Sequence, residues 1–248
     1  RQREMLAAMG VRLFEAPGEH AANPDHPEPV LRQAPDDRGL RRAQPERGGD
    51  VALARGDVAT LDWPALRAAV SQCRACALCE SRTQTVFGVG HERAQLMIVG
   101  EAPGENEDLQ GEPFVGQSGK LLDNMLRAIG LARDAQTPEQ AVFICNTVKC
   151  RPPRNRNPDA AELARCAPYL ERQIALVRPL LLLAMGRFAV QALLGSDEAI
   201  GKLRGRVHDR RGVPLIVTYH PAYLLRTLAD KARAWDDLCL AASVLEPP

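Results

Sequence analysis

The chain has 248 residues, 45% of them hydrophobic and 25% charged, the balance of a globular protein with a sizeable buried core. A formal charge of +1 excludes a uniformly basic nucleic-acid binder, though not a local basic face. No stretch approaches the roughly 18 apolar residues of a membrane span. The longest, Leu180 to Met185, has the length of a strand, and Arg1-Gln2-Arg3-Glu4-Met5 lacks the apolar region of a secretory signal. A cytoplasmic protein with no membrane segment is therefore expected. Its seven cysteines are read as free thiols or metal ligands rather than disulfides.

Residues 1–14 carry Met5, Leu6 and Met9 on one side of a short amphipathic helix that Gly10 should end. Such a peptide is either a loosely packed end or a tethered segment that meets a replication or repair protein. Over its few residues the run Met-Leu-Ala-Ala-Met-Gly-Val resembles the N-terminal peptide of the replicative clamp loader's psi subunit. From 15 to 59, Pro17, Pro24, Pro27, Pro29, Pro35 and Pro45 recur among Gly, Asp and Arg. That composition buries too little apolar surface to offset its ordering entropy, which predicts a disordered linker.

The folded domain is expected over 60–248, opening with a helix capped by Asp62 and carrying Pro64 in its first turn. Four apolar runs follow, over 96–99, 142–145, 180–184 and 215–218. Helical stretches lie over 119–129, 159–177, 188–194 and 231–244. Strands alternating with helices predict an α/β fold, a parallel sheet with helices on both faces. In such a sheet the ligand crevice forms from the loops at the strands' carboxyl ends.

Those loops hold the chemistry. After the first run comes Gly100-Glu101-Ala102-Pro103-Gly104-Glu105-Asn106-Glu107-Asp108, then Gly111-Glu112-Pro113-Phe114-Val115-Gly116. The second run ends on Asn146, whose amide presents donor and acceptor together and suits a planar base edge. Lys149, Arg151, Arg154 and Arg156 follow with no acid among them, as phosphate contacts would. The last run leads into His220-Pro221-Ala222-Tyr223-Leu224-Leu225-Arg226. His220, held before a proline, can donate to developing negative charge or carry a proton. Tyr223, Leu224 and Leu225 read either as core or as a wedge for a base stack. Lys202, Arg204, Arg206, Arg210 and Arg211 form a second basic stretch.

Cys73 and Cys76 form a C-x2-C pair before the first run, and Cys150 and Cys166 follow the second. Two pairs from separate segments can converge on one centre and tie those segments together. The spacing suits zinc and an iron–sulfur cluster equally, and Cys79 is a rival third ligand. Cys145 and Cys239 read as small buried core residues.

Taken in order, these motifs resemble the family 4 uracil-DNA glycosylases, the iron–sulfur branch of their superfamily, over about residues 66–245. The resemblance implies an α/β/α sandwich around a four-stranded parallel sheet. It also implies a [4Fe-4S] cluster on Cys73, Cys76, Cys150 and Cys166, deciding for iron–sulfur over zinc and leaving out Cys79. Phe114 would stack on an extruded uracil, Asn146 would bond its pairing edge, and His220 would stabilise charge on its carbonyl. Glu101, Glu107 and Asn155 match polar positions around the sugar and attacking water. Ala102 stands where other branches carry Asp, which leaves the general base open. Leu224 and Arg226 would join the basic loop in contacting DNA. The function implied is a monofunctional glycosylase, expected as a monomer, that removes uracil from single- and double-stranded DNA. The rivals are a non-catalytic iron–sulfur protein recognising uracil in DNA and a zinc-stabilised nucleotide-binding module.

Overall fold

The computed structural model describes residues 58–246. The peptide over 1–14 and nearly all of the Pro-rich linker lie outside the described residues. Val58 is already part of the core.

The first helix, α1 (Trp63–Ser71), is capped as expected: the Asp62 carboxylate accepts from the Ala65 N–H at 3.0 Å, with a proline in the first turn. A single-turn helix α2 (Leu78–Ser81) follows, and then the edge strand β1 (Val89–Gly90). The chain continues through β2 (Leu96–Gly100), α3 (Glu105–Gln110), α4 (Gln117–Ala128), β3 (Val142–Asn146) and α5 (Ala160–Val177). Next come β4 (Leu181–Met185), α6 (Arg187–Leu194), α7 (Ile200–Leu203) and β5 (Val207–Arg210). Last are β6 (Val213–Thr218), α8 (Pro221–Leu224) and α9 (Asp230–Leu245).

The sheet order is β1-β3-β2-β4-β6-β5. The middle four strands are the four apolar runs, and all pair in parallel. The sheet nevertheless has six strands rather than four, because β1 and β5 add antiparallel edges. Neither carries the apolar signal of a buried strand. β1 is two residues long, and β5 reads Val-His-Asp-Arg with three of its four residues outside the core.

Alternation along the buried strands assigns the two layers. Met97, Val99, Phe143, Leu182, Ala184 and Val217 face α1, α5 and α6, where Leu66, Leu170, Ile174 and Val190 wait. Leu96, Ile98, Ile144, Leu183, Met185 and Ile216 face α4 and α9, against Leu122, Met125, Leu126 and Leu238. The result is the three-layer α/β/α sandwich. The segment after β2 leads through α3 to α4 in one layer, and the loop after its neighbour β4 runs to α6 in the other. The sheet therefore opens a crevice between their carboxyl ends. None of the described helices is long and apolar enough to cross a membrane.

Candidate active site

A cleft of about 810 Å³ occupies that crevice. Glu101 and Ala102 enter it from the end of β2, Asn146 from β3, Arg187 from the start of α6 just after β4, and Tyr219 and His220 from the end of β6. Glu107 of α3, Phe114 and Asn155 complete the wall. The structure thus brings together Glu101, Ala102, Glu107, Phe114, Asn146, Asn155 and His220, which are far apart in sequence.

Asn146 is 2% exposed, and its Oδ1 has no hydrogen-bond partner among the described residues. Such an orphaned acceptor costs about 1–3 kcal/mol and calls for a donor from a ligand. The amide lies beside the Phe114 ring because residue 100 is glycine. A Cβ there would stand 2.5 Å from Asn146 Oδ1 and 2.6 Å from Phe114 Cζ.

Phe114 has a φ of 55°, a left-handed conformation uncommon for a bulky residue. Its neighbours hold it there. Glu107 Oε1 accepts from the Val115 and Gly116 N–H groups at 2.9 and 3.0 Å, while Glu107 Oε2 accepts from Gly104 N–H at 3.0 Å. Arg133, steadied by Asp123, donates to the Pro113 and Phe114 carbonyls at 2.9 and 3.0 Å. Behind the loop, a Cβ on Gly119 would fall 1.7 Å from the Phe114 carbonyl oxygen. Gly119→Ala is therefore expected to cost about 1–3 kcal/mol by forcing the loop outward. A denaturant titration checks this, and an unmoved midpoint would mean the loop yields freely.

His220 stacks on Phe114 with ring centroids 5.3 Å apart and an interplanar angle of 27°. Its Nδ1 accepts from the Ala222 N–H at 3.2 Å, which puts the proton of the neutral ring on Nε2. Burial first, then the positive charge of Arg226, lowers its pKa to about 4, and Glu107 opposes them weakly. At neutral pH the ring is an uncharged N–H donor. Burial raises the pKa of the Glu101 carboxyl, against the pull of the Arg187 guanidinium.

The expected DNA-contacting residues divide. Lys149 is 1% exposed, and its ammonium donates to the Asn146 carbonyl at 2.6 Å, so it is not a surface phosphate contact. Leu224 is fully buried, whereas Leu225 is 43% exposed, so a wedge on this turn would be Leu225. Arg156 is bound by both oxygens of Glu162, and Arg151 donates to Asn155 Oδ1 at 2.7 Å and to Glu105. Arg154 and Arg226 are exposed and have no carboxylate partner among the described residues. The second basic stretch is largely neutralised: Arg204 pairs with buried Asp237, and Arg210 and Arg211 with Glu171.

Cys73, Cys76, Cys150 and Cys166 line one small apolar cavity, together with Cys79 and Tyr169. Arg82 spans both halves, donating to Cys150 Sγ at 3.0 Å and to the Cys73 carbonyl at 2.8 Å. The Lys149 N–H points to Cys166 Sγ at 3.3 Å. Donors aimed at sulfur suit thiolate ligands, so these residues fit a thiolate-held group. Among the described residues, no three His, Cys, Asp or Glu side chains converge tightly enough to grip a metal ion, so the thiols surround a cavity rather than a point. Cys145 is buried as expected, but Cys239 is exposed, on the outer side of α9.

Sequence reasoning missed Arg133, Arg187, Gly119 and Tyr219. Arg133 and Gly119 act through backbone contacts that leave no local pattern. Tyr219 stacks on Tyr223 at 5.1 Å, and its place directly before His220 is the signal that could have found it.

The model of the uracil DNA glycosylase superfamily matches residues 87–239. The type-4 uracil-DNA glycosylase of Archaeoglobus fulgidus is 43% identical over 164 residues, covering 63% of this chain and 79% of that protein. Its counterpart from Saccharolobus solfataricus is 44% identical over 165 residues, with 63% and 74% covered. The one from Thermotoga maritima is 42% identical over 166 residues, with 66% and 83% covered. Sequence, fold and cleft agree, and the chain belongs to the uracil DNA glycosylase superfamily, within its type-4 branch.

Proposed function

We propose that this protein hydrolyses the N-glycosidic bond of uracil in single- and double-stranded DNA, leaving an abasic site for base excision repair. The observation that carries the reading is the orphaned Asn146 Oδ1, set beside the Phe114 ring and within the same cleft as His220. Uracil offers a ring N–H to that oxygen, a flat face to Phe114 and a carbonyl to a neutral N–H donor. Reaching this cleft requires the nucleotide to leave the base stack.

As the glycosidic bond breaks, negative charge gathers on the uracil carbonyls, and His220 Nε2–H stabilises it without transferring a charge of its own. The sugar becomes cationic and needs a carboxylate on its water-facing side. Glu107 already accepts three backbone N–H bonds, which commits it to shaping the Phe114 loop. Glu101, with no side-chain hydrogen bond to the protein among the described residues, is the better candidate to orient water, and Asn155 lies on the same rim. The exposed cations Arg226, on the cleft wall, and Arg154, on the loop after β3, would meet phosphates, and Leu225 would fill the gap left in the stack.

Cys73, Cys76, Cys150 and Cys166 are the ligands we propose for a [4Fe-4S] cluster. When bound, it would cross-link the segment before β1 to the basic loop after β3. A cytoplasmic setting and a monomeric state fit this reading.

Incubation with an oligonucleotide carrying one uracil, followed by hot alkali, tests the activity. Cleavage at that position alone is expected. An uncut strand that the protein still binds would favour the non-catalytic rival.

A further inference from the structure

We propose that Lys149 is a positioning residue that couples the cysteine site to the amide that reads uracil. The inference rests on the uracil-excising, cluster-binding reading above and adds to it the path between the two sites.

Lys149 is among the largest fully enclosed side chains of the protein. A buried ammonium is retained only with a counter-charge and satisfied donors, yet among the described residues no carboxylate pairs with it. Among the described residues its polar contacts are to sulfur and one carbonyl. Its Nζ donates to the Asn146 carbonyl at 2.6 Å and meets the Cys145 side chain, its backbone N–H points to Cys166 Sγ at 3.3 Å, and Cys150 is the next residue. The counter-charge is therefore supplied by thiolates, which the cysteine site carries when it holds its cluster. A loaded site holds the ammonium in place, and the ammonium holds the backbone of Asn146, at the end of β3. Residues 146 to 150 thus form a rigid strut with the reading amide at one end and a ligand at the other.

The strut explains why a lysine in a basic run points inward. It also separates Lys149 from the phosphate-contacting cations: loss of a phosphate contact weakens binding to all DNA and flattens the salt dependence, whereas loss of the strut spoils uracil recognition alone.

The test uses the iron-loaded full chain and Lys149→Met, with folding checked by thermal melting and loading by iron content. The expected result is a fall in kcat/KM on a single-uracil oligonucleotide of about ten- to a hundredfold. Affinity for uracil-free duplex and its salt slope should match the wild type. A salt slope reduced by about one, with turnover kept, would make Lys149 a phosphate contact and overturn the proposal. Wild-type kinetics would overturn it too.

A second measurement needs no variant, since coupling is reciprocal. Free uracil should slow the chelator-driven loss of visible absorbance from the wild-type protein, and cytosine, whose pairing edge has no ring N–H to offer Asn146 Oδ1, should not; equal loss rates would sink the coupling. If the wild type excises no uracil, the functional reading fails on that control. The strut is then judged on whether Lys149→Met sheds its iron faster than wild type, with equal rates counting against it.

Discussion

Replacing His220 with alanine is expected to lower kcat for uracil release by about a hundred- to a thousandfold, the cost of deleting one preorganised donor to an oxyanion. The ring is held for that task on both sides: it stacks on Phe114 and its Nδ1 is tied to the Ala222 N–H. Burial and Arg226 bring its pKa to about 4, so the acting form is the neutral imidazole. Uracil release should then show no His220-dependent limb between about pH 5 and 8, and His220→Ala should be equally impaired throughout. A wild-type limb near pH 6 that vanishes in the variant would mean that the imidazolium acts instead. The same shift bears on stability. The ring titrates near 6.5 in the unfolded chain and near 4 when folded, so its contribution is present above pH 6.5 and is lost as pH falls toward 4. His220→Ala should remove that acid sensitivity from a denaturant midpoint.

The sheet was legible where burial is complete. β2, β3, β4 and β6 are continuous apolar runs because both faces are covered. β5 was not, since an edge strand of Val-His-Asp-Arg pairs through its backbone and asks little of its side chains. α3, with sequence Glu-Asn-Glu-Asp-Leu-Gln, reads as a loop; it is a helix because three acids sit in its first turn, where the dipole favours them, and Gly111 closes it in a left-handed turn. Residue types at strand ends can be read, so Asn146 and His220 are named from the sequence, and the structure places both in the cleft. The direction of a side chain in a turn cannot be read. Lys149 looks like its exposed neighbours in sequence but turns inward, and one step of helix phase in α8 exchanges buried Leu224 for exposed Leu225. The second basic stretch misled for another reason: its acids, Asp237 and Glu171, come from elements distant in the chain.

Asn146→Ala tests the other half of the site. The amide oxygen is buried and unmatched in the free protein, so it gains its partner only when a base with a ring N–H arrives. Removing it deletes both the attraction to uracil and the penalty against a base that cannot donate there. A site built to hydrogen-bond a buried edge loses selectivity steeply when the bond is deleted, by as much as about ten-thousandfold. The expected result is a loss of at least about a thousandfold in kcat/KM for uracil. Binding to uracil-free DNA should persist, because the substitution leaves the exposed cations Arg154 and Arg226 in place. Thermal stability should not fall with it, since the variant buries one unmatched acceptor fewer. That combination separates Asn146 from Gly119, whose replacement is expected to lower stability by displacing the Phe114 loop. Uracil excision at the wild-type rate by Asn146→Ala would mean that the base is read by some other edge. Phe114 and His220 would then be holding the ring with its pairing edge turned away from residue 146.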